Sequence, residues 1–95
     1  AYEALGFCGK GEGKKLIEEG VTSKDGELPT NLSGGVLCSN PYPGTGLVKV
    51  AEAVLQLRGE AGKRQVPDAT TALVHGMSYL AGASAQTHCV IVLRR

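Results

Sequence analysis

Few side chains in this 95-residue chain can take part in chemistry, and most of them fall in or beside two loops. The histidines are His75 and His88, the thiols are Cys8, Cys38 and Cys89, and two of the three tyrosines, Tyr42 and Tyr79, stand in stretches rich in small residues. A histidine exchanges a proton near neutral pH, a tyrosine donates a hydrogen bond or acts as an acid, and a thiolate attacks carbonyl carbon. Each has a plainer use. A lone histidine is commonly a hydrogen-bonded structural residue, and a loop tyrosine commonly packs against its neighbours. His88 opens an apolar run and reads as structural. The cysteines are far apart, with no C-x-x-C, which argues against a zinc site or a redox motif and for reduced thiols in a cytoplasmic chain.

The most unusual segment is 31–46, NLSGGVLCSNPYPGTG, with four glycines, two prolines and two asparagines. Gly34-Gly35 permits positive φ or a close backbone approach to a ligand. Pro41 and Pro43 stiffen the stretch. Gly44-Thr45-Gly46 then opens an amphipathic helix, whose N-terminus offers unpaired N–H groups and partial positive charge. The segment is either a turn between elements or a site for an oxyanion or thioester oxygen. Gly9 to Lys14 (GKGEGK) fits neither phosphate-binding glycine spacing and follows no strand, so it reads as a turn before a helix. Asn31-Leu32-Ser33 matches a glycosylation sequon by chance, since no secretory signal precedes it.

These residues need elements to position them. Residues 1–7 have the composition of a helix tail. KKLIEEG (14–20) reads as a short helix stopped by Gly20. Asp25-Gly26 marks a turn, and Pro29 breaks any helix. The longest helix runs from Thr45, a suitable N-cap, to Arg58 before Gly59; Leu47, Val48, Ala51, Val54 and Leu55 follow its spacing. Residues 59–69 read as a polar, turn-forming link. A short strand at 72–74 ends at His75, and a small-residue loop leads to a second strand at 88–93. That strand is apolar on both faces, as strands buried on both sides are. Helices and strands in this order predict α/β packing, with more sheet than the chain itself carries. A net charge of +1 and 4% aromatic residues argue against nucleic-acid binding, and 42% hydrophobic against 20% charged residues argues against disorder. No apolar run approaches the ~20 residues of a membrane span. The chain is one domain at most, and a first residue of Ala1 suggests a fragment or a processed chain.

Four stretches carry a family resemblance: AYEALGFC at 1–8, NLSGG at 31–35, LRGEAGKRQVP at 57–67, and the closing strand-loop-strand from Leu73 to Leu93. Together they resemble the C-terminal portion of sterol-carrier-protein-type thiolases, also called nonspecific lipid-transfer-protein thiolases. The resemblance covers essentially residues 1–95, and LRGEAGKRQVP is its specific part. It implies an α/β fold: the C-terminal part of the second thiolase-like βαβαβαββ domain, incomplete alone. It also implies that the nucleophilic cysteine lies elsewhere, since Cys8, Cys38 and Cys89 do not match it.

The departures from the family pattern bear on chemistry. Such thiolases carry G-H-P-x-G-A-T-G, whose histidine donates a hydrogen bond to the thioester. Here Ser39-Asn40-Pro41-Tyr42-Pro43-Gly44-Thr45-Gly46 aligns with it, and Asn40 replaces that histidine. Asn donates a hydrogen bond but shuttles no proton at neutral pH. The later H-N-x-G-x-G-G loop becomes His75-Gly76-Met77-Ser78-Tyr79-Leu80-Ala81-Gly82, keeping the histidine and losing the asparagine. In this respect the chain is similar to thiolase-like aldolases, which cleave β-hydroxyacyl-CoA thioesters. The resemblance therefore implies retro-aldol cleavage over thiolysis, with Tyr42, Asn40, His75 and Tyr79 as catalytic candidates and Ser33, Gly34, Gly35 and Gly82 around the substrate. The alternatives are a lipid-transfer-type acyltransferase or a non-catalytic acyl-CoA-binding subunit. It further implies a coenzyme A thioester as substrate with no cofactor and no metal, the rest of a thiolase fold, a homodimer and a small OB-fold partner protein.

Overall fold

The computed structural model describes residues 1–38, 44–78 and 87–95. Two compact units divide them, 1–32 and 33–95. The expected helix at 14–20 forms as α1, Gly13–Glu18, and Gly20 follows at φ 72°, the left-handed conformation that ends a helix at glycine. Residues 1–7 form turns rather than a helix tail. Gly6 stands at φ 80°, and one turn of helix without a packed face does not hold itself. The Gly9–Gly13 stretch is a turn that acidic side chains close. Glu12 Oε2 accepts from the Gly9 N–H at 2.9 Å, and Glu3 Oε1 accepts from the Gly13 N–H at 3.2 Å. Backbone N–H groups of Gly11 and Gly13 hold the Glu3 carboxyl below its ordinary range. Gly26 is sterically required: a β-carbon there would strike the carbonyl oxygens of Gly20 and Val21.

In the second unit α2 spans Thr45–Arg58, with the bounds its periodicity predicts. Its N-cap is Gly44 rather than Thr45, and no side chain caps it, because Thr45 is already the first helical residue. Gly59 ends it at φ 74°. The hairpin pairs β1, Thr71–Ser78, with β2, Thr87–Arg94, antiparallel in the register Val74↔Ile91 and Gly76↔Cys89. The first strand therefore does not end at His75. The ladder to β2 carries it on to Ser78 despite the weak strand propensity of Gly76 and Ser78. Val74, Gly76, Cys89 and Ile91 face α2, and alternation turns Leu73, His75, Met77, His88, Val90 and Val92 to the other side. Among the described residues the buried apolar core is Ala53, Leu57, Ala61 and Val74.

The 59–69 link is more than a turn. Gln56 is buried, its Nε2 donating to the Arg64 carbonyl at 2.8 Å and its Oε1 accepting from the Val66 N–H at 2.8 Å. Gln65 Nε2 donates to the Gln56 carbonyl at 2.9 Å, and its Oε1 accepts from the Ala61 N–H at 3.0 Å. Arg64 makes a two-pronged pair with Glu52, at 3.1 and 2.9 Å. LRGEAGKRQVP thus folds back on the end of α2.

β2 carries its apolar residues in the open. Val90, Ile91 and Val92 are 49, 37 and 63% exposed, where the sequence predicts burial on both faces. The fold is that of a partial thiolase-like α/β domain, and one helix covers only one side of a hairpin. The 95-residue chain by itself is accordingly expected to self-associate in light scattering. A monodisperse monomer with a cooperative calorimetric melt would contradict this.

Candidate functional site

The substrate-side candidates Ser33, Gly34 and Gly35 lie at the start of the second unit. Gly34 and Gly35 stand at φ 78° and 55°, as adjacent glycines allow. Gly35 donates its N–H to Ser33 Oγ at 3.4 Å, and a short 3-10 turn, Gly35–Leu37, follows. A β-carbon on Gly34 would collide with Cys38 Sγ, so the thiol occupies the space a side chain would need. Just upstream, Asn31 adopts φ 52°, a left-handed conformation asparagine tolerates well. The Asn and both glycines of NLSGG therefore have backbone reasons for their identity.

Asn40, Tyr42, Tyr79 and Gly82 lie outside the described residues. Their anchoring points do not. Segment 39–43 joins α2 at Gly44, and segment 79–86 joins β1 at Ser78 to β2 at Thr87. Those anchors share one end of the unit. A cleft of about 280 Å³ there sets Gly46, Leu47 and Val50 of α2 against Val74, Gly76, Cys89 and Ile91 of the hairpin. Lys49 ties the two elements by donating from Nζ to the His75 carbonyl at 3.0 Å. The cleft wall is mainly aliphatic, with the N-terminus of α2 at its edge.

His75 is in the middle of β1 and half-buried, on the face away from that cleft. It does not stand alone. His75 Nε2 lies 3.1 Å from Nδ1 of His88, the histidine that reads as purely structural in the sequence. The sequence signal for this pair is parity: once β1 and β2 are in register, residues 75 and 88 share a face. All three cysteines are free thiols, and burial, then the nearby Glu3 and Glu12 charges, push the Cys8 thiol above its ordinary value. Cys89 was also missed by sequence reasoning as part of the cleft wall.

Residues 1–95 match the thiolase C-terminal domain-like family. An acetyl-CoA acetyltransferase of Methanothermobacter thermautotrophicus is 46% identical over 86 residues, 90% of this chain and 22% of that protein. Sterol carrier protein 2 of Rattus norvegicus is 47% identical over 87 residues, 90% of this chain and 16% of that protein. A 17-hydroxy-3-oxo-4-pregnene-20-carboxyl-CoA lyase of Mycobacterium tuberculosis is 49% identical over 57 residues, 60% of this chain and 14% of that protein. The chain thus spans about a fifth or less of the length of these relatives. No described helix is long and apolar enough to cross a membrane.

Proposed function

The chain belongs to the thiolase family, as its C-terminal domain-like part, and from that premise we propose that it serves retro-aldol cleavage of a β-hydroxyacyl-CoA. The observation that carries this reading is Asn40-Pro41-Tyr42-Pro43 where family thiolases place His-Pro. Thiolysis needs an acid–base group at that point, and Asn supplies only a hydrogen bond. Retro-aldol cleavage asks for something different. A base takes the β-hydroxyl proton, the Cα–Cβ bond breaks, its electron pair moves into the thioester as an enolate, and a proton then returns to Cα. The products are a ketone or aldehyde and a shortened acyl-CoA. Asn40 and the N–H groups opening α2 suit the enolate oxygen, while Tyr42, Tyr79 and His75 are the proton-handling candidates. Ser33, Gly34, Gly35 and Gly82 border the substrate in this reading.

The lyase relative supports it. Its name puts a hydroxyl at position 17 and the CoA-bearing carboxyl on position 20, so the hydroxyl is β to the thioester carbonyl. The acetyltransferase relative keeps thiolase-type acyl transfer as the second reading. A homodimer, a small OB-fold partner and a cytoplasmic setting complete the proposal, with coenzyme A entering only as the substrate's thioester.

The test is the full-length protein with a β-hydroxyacyl-CoA and no free CoA. Release of a carbonyl product supports the proposal, whereas cleavage of a 3-ketoacyl-CoA that depends on free CoA establishes thiolysis instead. In the same protein Asn40→His is expected to leave CoA-dependent cleavage near its starting level, because groups that act as a unit are strongly non-additive. A large gain would show a scaffold still equipped for thiolysis.

A further inference from the structure

The cross-strand histidine pair has a geometry that defines its chemistry. The register sets His75 opposite Val90 and Met77 opposite His88, so the two rings are diagonal neighbours on the face turned from α2. Their planes are 8° apart and their centroids 5.3 Å apart. Near-parallel planes fit face-to-face stacking, but the distances exclude it. A five-membered ring with bonds of ~1.33 Å has a radius of ~1.1 Å. Nitrogens 3.1 Å apart reach a centroid separation of 5.3 Å only when both lie almost on the line joining the ring centres. The rings therefore meet end to end, nearly coplanar, as an N–H···N hydrogen bond. Lone pairs aimed at one another leave no position from which one cation reaches both, so this is no chelating pair. Two imidazolium rings cannot make the bond either, since neither has a lone pair left.

We propose that His75 and His88 form one proton-sharing unit, in which His88 orients His75 and takes its proton onward. In the starting state His75 Nε2–H donates to His88 Nδ1, His88 carries its other proton on Nε2, and His75 Nδ1 is a free base. A proton arriving at His75 Nδ1 forms an N–H bond there. The shared proton leaves His75 Nε2 for His88 Nδ1, and the proton on His88 Nε2 departs to water. One proton enters, one leaves, and both rings end neutral with their tautomers exchanged. The reverse sequence resets the unit: His75 Nδ1–H gives up its proton, the shared proton returns from His88 Nδ1 to His75 Nε2, and His88 Nε2 takes a proton from water. Within this part of the fold His88 is exposed and His75 half-buried, so the proton leaves from the more open of the two rings. The charged groups near the pair are few among the described residues: Lys49 of α2 at the His75 carbonyl, Arg94 at the far end of the same face, and the Cys89 thiol on the opposite face. No described acid lies on the hairpin to capture the proton in place of His88. The identity of the proton donor, a β-hydroxyl, rests on the retro-aldol reading above; the shared proton does not.

The experiment uses full-length protein with nitrogen-15 in its imidazoles. Expected is a scalar coupling across the hydrogen bond between His75 Nε2 and His88 Nδ1 in mildly alkaline solution. Absence of that coupling, or His88 ring nitrogen shifts unaltered by His75→Ala, overturns the unit. Both readouts need no substrate, so they decide the pair whether or not the retro-aldol assignment survives. With β-hydroxyacyl-CoA, His88→Gln and His88→Phe should each lower kcat at least ~10-fold with KM little changed, partly restored by added imidazole. Gln can hydrogen-bond His75 but relays nothing. Full activity in His88→Gln would therefore show orientation without transfer and overturn the relay.

Discussion

Replacing Gln56 by Ala is expected to speed amide exchange at Val66 by about 30- to 100-fold, a local loss of about 2–3 kcal/mol. Gln56 is 8% exposed and serves two backbone groups of the following link, the Arg64 carbonyl and the Val66 N–H, both at 2.8 Å. Truncation leaves a part-buried donor and acceptor without partners, and each such orphan costs ~1–3 kcal/mol. Gln56→Leu should lose nearly as much, since it refills the volume but not the hydrogen bonds. If Leu exchanges like wild type, the side chain only packs. The same network predicts an acid limit. Glu52 accepts from Arg64 and from Gln56, and the Arg64 bonds, ahead of the Gln56 bond, hold its carboxyl below the ordinary value of 4.5 against the opposing effect of burial. A depressed folded-state value means the stabilisation is complete above the unfolded value and lost as pH falls through the folded one. Protection at Val66 should therefore hold from neutrality to about pH 4.5 and fall below it, and Glu52→Gln should abolish that fall.

How much of this was legible in the sequence varies with the range of the forces involved. α2 is readable in its extent because its apolar spacing and Gly59 are local signals that agree, while its N-cap is Gly44 rather than the expected Thr45. The sequence makes β1 too short, because Gly76 and Ser78 lack strand propensity and owe their conformation to partners thirteen and nine residues away on β2. LRGEAGKRQVP was recognisable as specific, yet its task was not: Gln56 reaches across eight and ten residues, and Arg64 back across twelve to Glu52. The His75–His88 pair depends on register alone, since a one-residue slip would send the rings to opposite faces. Of the site, the glycine conformations at 34 and 35 were legible, while Lys49 and Cys89 were not, because nothing in a helix or strand pattern says which exposed position borders a cleft.

Tyr42→Phe in the full-length protein is expected to lower kcat for β-hydroxyacyl-CoA cleavage by ~10²-fold or more, within the range of acid–base groups. Tyr42 stands between Pro41 and Pro43, so its backbone is restrained from both sides. It follows Asn40, which the family resemblance aligns with the thioester-binding histidine of thiolases, and it shortly precedes the N-terminus of α2 in the sequence. The partial positive charge there favours a phenolate or an enolate oxygen. Asn40 cannot pass a proton and Tyr42 can, so in the proposed retro-aldol step Tyr42 is the candidate that takes the β-hydroxyl proton. KM should change little, because Phe keeps the ring and its packing. The direct rival is a tyrosine that only packs its loop, for which Phe would be nearly silent. The two are separated at saturating substrate with any partner protein present: a kcat within about threefold of wild type corresponds to ~0.65 kcal/mol of barrier, too little for a lost proton transfer, and would remove Tyr42 from the mechanism. Comparison with His88→Gln then orders the path. If the proton passes from Tyr42 to His75, the double variant should be no slower than Tyr42→Phe alone, whereas independent routes would multiply the two losses.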